Sequence, residues 1–262
     1  MPDNRGSNPS LSLTPLNRVI CPALNLIPPR TPPRLFDSAV QHFTSIPWCA
    51  DLLLNAPSAA TAAAVASAVA SAASSHRQPN PSAAIAASKG TESPVIPFIP
   101  QCFNPASDRH DQFVGSTLAN APRALRHMLC LFRPDDAHHL RDPSRPVARV
   151  SALFSFGDGL SGYEGLLHGG MAATMMDETL GTINELNKAL AKADALFDAS
   201  SVTASLNITF RRPIPVQGEV CVTAWVESIQ GRKTNMKCEL TGPDGKVLAS
   251  ATSTWVALKS NM

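Results

Sequence analysis

The apolar residues of this chain follow two periods, one typical of a strand and one typical of a helix. Residues 201–210 (SVTASLNITF) alternate between apolar and polar side chains, which predicts a strand with one face turned to a core. Thr203 falls on its polar face. The apolar face holds Val202, Ala204, Leu206, Ile208 and Phe210. From His168 to about Leu190 apolar residues fill most sides of a helical pattern, which predicts a largely buried helix.

Five further segments have the length and composition of strands. They are residues 123–132, 147–156, 218–229, 234–242 and 247–258. Two of them precede the helix, and the last three follow residues 201–210 with short turns between them. Short turns join antiparallel neighbours. The pattern therefore predicts an α+β fold, in which one long helix lies against an antiparallel sheet of five to six strands.

Composition divides the chain into four parts. Residues 1–34 hold eight prolines, and residues 56–93 are mostly Ala, Ser and Pro. Both segments lack the large side chains that offset chain entropy, so we expect disorder in the first and a low-complexity insertion in the second. Residues 35–55 have a helical apolar pattern and predict an amphipathic arm that packs on the main domain. Residues 94–262 form that main domain.

Charge and cysteine content narrow the choice of partners and location. A net charge of +2 is too small to indicate binding to nucleic acid. The six cysteines show neither the spacing of a zinc site nor that of a disulfide framework, which favours a reducing compartment. We expect a cytoplasmic protein without a membrane span, metal or cofactor. Four arginines and one acid in residues 1–34 make a mitochondrial presequence the alternative.

A glycine-rich motif precedes the helix. Gly157, Gly159 and Gly162 spell G-x-G-x-x-G, the pattern of a dinucleotide-binding turn. That turn operates within a parallel βαβ unit and opens directly into its helix. Here the helix begins later, at His168, and no second β-α unit follows. The motif therefore does not predict a dinucleotide site.

The helix start and one carboxylate carry the candidate chemistry. Gly169 and Gly170 follow His168, where free backbone N–H groups at the positive end of the helix dipole stabilise an anionic oxygen. Asp177 interrupts the apolar helix, and a carboxylate there is costly unless it is paired, exposed or used. The alternative is structural: Asp177 and Glu178 form a solvated pair, and His168 caps the helix.

Spacing along the helix has a further consequence. Gly169 and Asp177 are eight residues apart, about 12 Å along one helix axis. A single carbonyl group needs both within roughly 3 Å. If both act on one substrate, one of them must come from a second copy of the chain. We therefore expect an active site at the interface of a homodimer, or of a tetramer of such dimers.

Two segments resemble the hotdog-fold acyl-CoA thioesterases of the phenylacetate-pathway and thioesterase-superfamily-member types. They are GYEGLLHGGMAATMMDETLG and VTASLNITFRRPIPVQGEV, the second followed by ESIQGRK. The resemblance covers residues 120–262. It implies that Asp177 is the catalytic nucleophile or general base and that the Gly169 N–H polarises the thioester carbonyl. His168 would position the loop and contact the carbonyl region, and Thr203 would orient water. Some relatives carry an amide six residues before the His, where this chain has glycine.

Two basic pairs follow strand segments. Arg211 and Arg212 end the first strand after the helix, and Arg232 and Lys233 follow a glycine turn. We expect these four side chains, with Gly170, to bind the substrate, because arginine pairs well with phosphate groups such as those of CoA. Solvated turn charges are the alternative.

The sequence thus predicts an acyl-CoA thioesterase that uses Asp177. An enoyl-thioester hydratase or dehydratase is one alternative, with His168 and Glu178 as base and acid. A non-catalytic acyl-CoA-binding module is the other. The pattern does not predict the acyl group.

Overall fold

The computed structural model describes residues 18–53, 93–106, 112–193, 197 and 200–258. The predicted low-complexity insertion, apart from Ser93, and the first half of the predicted disordered segment lie outside these residues.

Long strands and one long helix dominate the described chain. The α-helices are α1 (Leu35–Thr44), α2 (Pro47–Leu53) and α3 (Gly169–Ala189). The strands are β1 (Ile96–Phe98), β2 (Leu125–Phe132), β3 (Arg149–Phe156), β4 (Ser161–Tyr163), β5 (Leu166–Leu167), β6 (Ser201–Phe210), β7 (Gly218–Gln230), β8 (Lys233–Thr241) and β9 (Val247–Ala257).

Seven of the strands form one antiparallel sheet in the order β1-β2-β3-β7-β8-β9-β6, and β4 pairs with β5 in a separate ribbon. All six segments predicted as sheet strands are present. The predicted count of five to six strands is too low, because it omits the short strand β1, which pairs with β2. Its three residues include Pro97, and prolines punctuate the sequence around it, so it lacks a strand pattern. Strand β6 forms one edge of the sheet.

Helix α3 lies against β3, β6, β7 and β8 and buries a long apolar stripe. Its buried apolar residues are Met171, Ala172, Met175, Met176, Leu180, Ile183 and Leu186. Near its end, the Asn187 side chain accepts a hydrogen bond from the Val147 N–H (2.7 Å) and donates one to the Val147 carbonyl (2.9 Å). These bonds fix the last turn of α3 to the chain that enters β3, so both ends of the helix have defined positions.

The predicted arm packs on the main domain as two helices, because Pro47 opens α2 rather than ending the helical region. Phe43 of α1 is fully buried in the common core. The His42 ring lies 3.3 Å from a Glu219 carboxylate oxygen of β7. The arm therefore belongs to the same core as the sheet.

The predicted disorder of residues 1–34 is wrong for residues 18–34. Val19, Ile20 and Cys21 are buried, and Ile20 forms a bridge with Ile99 just beyond β1. This short apolar run pairs with the sheet despite its proline-rich surroundings. The chain thus joins the core well before the predicted boundary at residue 35.

Candidate functional site

Helix α3 opens with one unused backbone N–H. His168 is the N-cap residue, and its ring Nδ1 accepts a hydrogen bond from the Gly170 N–H at 2.9 Å. The His168 carbonyl accepts bonds from the N–H groups of Met171 (2.9 Å) and Ala172 (3.2 Å). The Gly169 N–H has no acceptor in the described part of the chain. The expectation of free N–H groups at both glycines is therefore wrong for Gly170, and Gly169 alone can donate to a ligand.

The cap also determines what the His168 ring can do. A nitrogen that accepts a hydrogen bond carries no proton, so the neutral ring has its proton on Nε2. His168 is exposed, and among the described residues no partner engages this second nitrogen. The ring is thus a capping group with one outward donor, rather than a free base.

The G-x-G-x-x-G glycines are required by close packing. A methyl group on Gly157 would overlap the Arg123 carbonyl oxygen, and one on Gly159 would lie 2.7 Å from the same oxygen. The N–H groups of the same two glycines bond to the carbonyls of Ala124 and Arg123. A methyl group on Gly162 would lie 3.0 Å from the His168 Cα atom. The motif holds the loop against the start of β2 and sets His168 at the helix start.

Asp177 lies on the side of α3 that faces the edge strand β6. Its carboxylate accepts a hydrogen bond of 2.8 Å from the Thr203 hydroxyl. Burial raises the pKa of the Asp177 carboxyl, and the bond from Thr203 opposes that rise. A half-buried carboxylate with one hydroxyl donor can act as a base or a nucleophile.

A β-bulge puts Thr203 on the helix side of β6, and here strict alternation misleads. Thr203 pairs with Trp255, but the next paired residue is Ser205, which pairs with Thr254. The extra residue reverses the alternation. Thr203 therefore shares a face with Leu206 and Ile208, which pack on the core, and not with Ser205, Asn207 and Thr209.

The two halves of the candidate site are separated within one chain. Position 169 lies against the ring of Phe210 at the end of β6, whereas Asp177 bonds to Thr203 near its start. The intervening eight residues of α3 span about 12 Å. The described chain therefore presents a donor and a carboxylate that do not face one common atom.

The four predicted basic residues do not form one cluster in a single chain. Arg211 bonds to Ser250 at the start of β9, and the Arg212 guanidinium donates to the Val247 carbonyl. Arg232 donates to the carbonyl of Ala257 at the other end of β9, and Lys233 pairs with its neighbour Val256. The ends of β9 are about 30 Å apart at the usual rise of a strand.

Two features of helix α3 and strand β6 were not predicted from the sequence. Farther along α3, the Asn184 amide donates to the Ser201 hydroxyl at 2.9 Å, so a second polar contact joins the helix to β6. Phe210 was expected in the core, yet its ring is half exposed. Asn184 follows Asp177 by seven residues, the helical repeat that could have indicated a shared face. No sequence signal distinguishes an exposed Phe210 from a buried one.

The part of the chain that the structure describes shows neither a metal site nor a membrane-spanning helix. No group of three or more His, Cys, Asp or Glu in the described residues could hold a metal ion. None of the helices found there is both long and apolar enough to span a membrane.

Comparison with known proteins identifies the segment that carries α3 and its surroundings. The family model described as "Thioesterase superfamily" matches residues 164–249, which include His168, Gly169, Asp177 and Thr203. This segment belongs to the thioesterase superfamily. With its long helix against an antiparallel sheet, the domain has the hotdog fold.

Curated relatives share the same region. Acyl-coenzyme A thioesterase THEM4 of Mus musculus is 35% identical over 111 residues, which is 42% of this chain and 44% of the relative. Acyl-coenzyme A thioesterase THEM5 of Homo sapiens is 36% identical over 95 residues, or 36% of this chain and 34% of the relative. The chain thus spans less than half the length of these relatives.

Solved structures of similar proteins include a phenylacetic acid degradation-related protein of Ralstonia eutropha. It is 27% identical, with a TM-score of 0.36, over 42% of this chain and 76% of that one. A conserved protein of Pseudomonas aeruginosa is 25% identical, with a TM-score of 0.37, over 43% of this chain and 83% of that one.

Proposed function

We propose that this protein is an acyl-CoA thioesterase, which hydrolyses the thioester to a free acid and CoA. The observation that carries the proposal is the pairing of an unused N–H at Gly169 with a half-buried, hydroxyl-bonded carboxylate at Asp177. The names of the curated relatives support the choice of thioester.

Each residue has a chemical part in this reaction. The thioester oxygen accepts hydrogen bonds from the Gly169 N–H and the outward donor of His168, and both strengthen as negative charge develops on that oxygen. Asp177 either attacks the carbonyl carbon or takes a proton from the attacking water, with the Thr203 hydroxyl fixing its orientation. The C–S bond then breaks and the CoA thiolate leaves, to be protonated by solvent. Where Asp177 has attacked the carbonyl carbon, water then hydrolyses the resulting anhydride, which releases the free acid and restores the carboxylate.

A complete site requires two copies of the chain, and the edge strand β6 supports one way to join them. Its outer row of backbone groups is free to pair with a second β6 in antiparallel fashion. Gly169 lies next to Phe210 in its own chain, and Asp177 bonds to Thr203 in its own chain. For Gly169 of one copy to approach Asp177 of the other, Phe210 of the first copy must therefore lie beside Thr203 of the second. With the bulge included, that register places Asn207 opposite Asn207 of the second copy. Helix-facing residues then meet helix-facing residues along the whole strand.

The same arrangement brings the separated basic residues together. In this register Arg211 and Arg212 of one copy lie near Ser201 of the other. Ser201 pairs with Ala257, whose carbonyl accepts from Arg232. The proposed dimer thus collects both basic pairs at each end of the strand pair, where the phosphate groups of CoA would be bound by arginine.

The hydratase alternative fits this site less well. It requires a basic nitrogen on His168, and the ring nitrogen that would be basic is occupied by the Gly170 N–H. Glu178, its suggested acid partner, lies on the helix next to Asp177 but off the face that meets Thr203.

The test is free thiol release from short, medium, long and aromatic acyl-CoAs, with wild type and Asp177→Asn compared side by side. We expect turnover in the wild type and a loss of at least a hundredfold in the variant, since nucleophile or base is removed. Tight binding of acyl-CoA without turnover in both proteins would overturn the proposal and favour a binding module.

A further inference from the structure

Phe210 places an exposed aromatic ring beside the candidate oxyanion donor. A methyl group built on Gly169 would lie 3.4 Å from the ring Cζ atom and 3.8–3.9 Å from the two Cε atoms. The tip of the ring is therefore in van der Waals contact range of position 169. Phe210 is nevertheless 52% exposed. It is the last residue of β6, and the preceding residues on the same face, Leu206 and Ile208, pack on the core.

The position of the ring matters for the chemistry of the neighbouring N–H. A hydrogen bond to a developing oxyanion is stronger where water is excluded and the local dielectric is low. Gly169 is exposed in a single chain, and the His168 ring and the Thr174 hydroxyl, which bond to Gly170 at the helix start, are both polar. Phe210 is an apolar group that borders position 169, the residue that carries this N–H.

We propose that Phe210 forms the apolar wall of the thioester subsite, where it contacts the bound thioester and keeps water away from the Gly169 N–H. This inference rests on the proposed thioesterase function. Because the wall acts where charge develops, its removal lowers kcat more than it raises KM.

A competing role for the ring follows from the proposed dimer. There Phe210 lies beside Thr203 of the second copy, so its exposed surface could serve only to join the two copies. The two roles differ in what happens to turnover when the dimer remains intact. The test therefore measures both turnover and mass.

The experiment compares Phe210→Ala, Phe210→Leu and Phe113→Ala with wild type, using the best acyl-CoA from the thiol-release panel. Phe113 is a matched control because it is also a half-exposed phenylalanine (54%), located in the segment Gln112–Leu118 far from α3 in sequence. Each variant is assayed at protein concentrations where light scattering shows the dimer, and melting temperature checks the fold.

We expect Phe210→Ala to lower kcat at least about tenfold with KM changed less than threefold, the signature of an interaction made in the transition state. Phe210→Leu keeps an apolar wall and should retain most of kcat, and Phe113→Ala should match wild type. Unchanged kcat in dimeric Phe210→Ala overturns the inference. So does a loss that vanishes when higher protein concentration restores the dimer. Absence of turnover in the wild type would instead refute the proposed function itself.

Discussion

Gly169→Pro would remove a single N–H from the helix start and leave the helix itself intact. Proline is favoured at the first helical position, and His168 already has the extended backbone (φ −61°, ψ 131°) that a following proline requires. We expect kcat to fall about 100-fold or more, the usual cost of losing one oxyanion donor. Steady-state kinetics measures the loss.

Gly169→Ala is the matched control, because alanine keeps the N–H and its methyl group would meet Phe210 at an ordinary contact distance of 3.4 Å. It should retain most of the activity. Equal activity in the proline and alanine variants would remove Gly169 from the mechanism.

Thr203→Val tests how the hydroxyl tunes the carboxylate. Asp177 must be ionised to act, so activity falls as pH drops through its pKa. Burial raises this pKa and the Thr203 hydroxyl lowers it, so the valine variant should have a still higher pKa. We expect the acid limb of the kcat/KM profile to move to higher pH. Thr203→Ser keeps the hydroxyl and should keep the limb, and an unmoved limb in the valine variant would contradict the account.

At the residue scale the structure shows where the predicted groups lie, and strand alternation alone did not predict those positions. The family resemblance indicated Thr203, but strict alternation put it on the wrong face of the strand. A bulge depends on pairing with β9, which a single-strand pattern does not contain. The capping bond from Gly170 to His168 was named only as an alternative, since side-chain rotamers do not follow from spacing.

At the scale of an element, Gly181 shows how the core restricts helix α3. Alanine is normally about 1 kcal/mol better than glycine inside a helix. Here the added methyl group would lie 2.7 Å from the Cη2 atom of Trp255. Overpacking of this kind costs about 1–3 kcal/mol, so we expect Gly181→Ala to lower the free energy of unfolding by about 1 kcal/mol.

Urea unfolding measures this change, and Trp255→Phe supplies the control. Phenylalanine is shorter than the indole, so Gly181→Ala should cost less in that background. A variant more stable than wild type would show that helix propensity outweighs the contact.

Elements with a strong periodic pattern were predicted well, and weakly patterned ones were not. Helix α3 begins and ends within about a residue of its predicted limits, because glycine and histidine mark its start and apolar residues fill its body. Strand β1 and the bridge at Ile20 are too short for any period. They form because the sheet offers them a free edge, which is a tertiary effect.

At the scale of the whole molecule, the proposed strand pairing can be tested at one position. The register places Asn207 opposite its own copy, so Asn207→Asp or Asn207→Lys would bring like charges together and should dissociate the dimer. An equimolar mixture of the two variants pairs opposite charges and should restore both the dimer and its activity. Light scattering reports the mass. Dimers that persist in both single variants would place the interface elsewhere.

The expectation of a second copy came from sequence spacing alone, because a helix has a fixed rise. Sequence spacing did not predict which edge of the sheet could join the copies, since strand order depends on long-range pairing. The spacing of Asp177 and Gly169 thus predicts a site shared by two chains, and edge strand β6 is where we propose that they meet.

The measurement that tests the shared site most directly uses a mixed dimer. Asp177→Asn and Gly169→Pro subunits are given different tags, co-expressed, and the heterodimer is purified. In it, Gly169 of the first subunit and Asp177 of the second complete one site, and the other site lacks both groups. If the site lies across the interface, the heterodimer has about half the wild-type activity while both homodimers are inactive. A heterodimer as inactive as its parents would contradict a site shared between two copies.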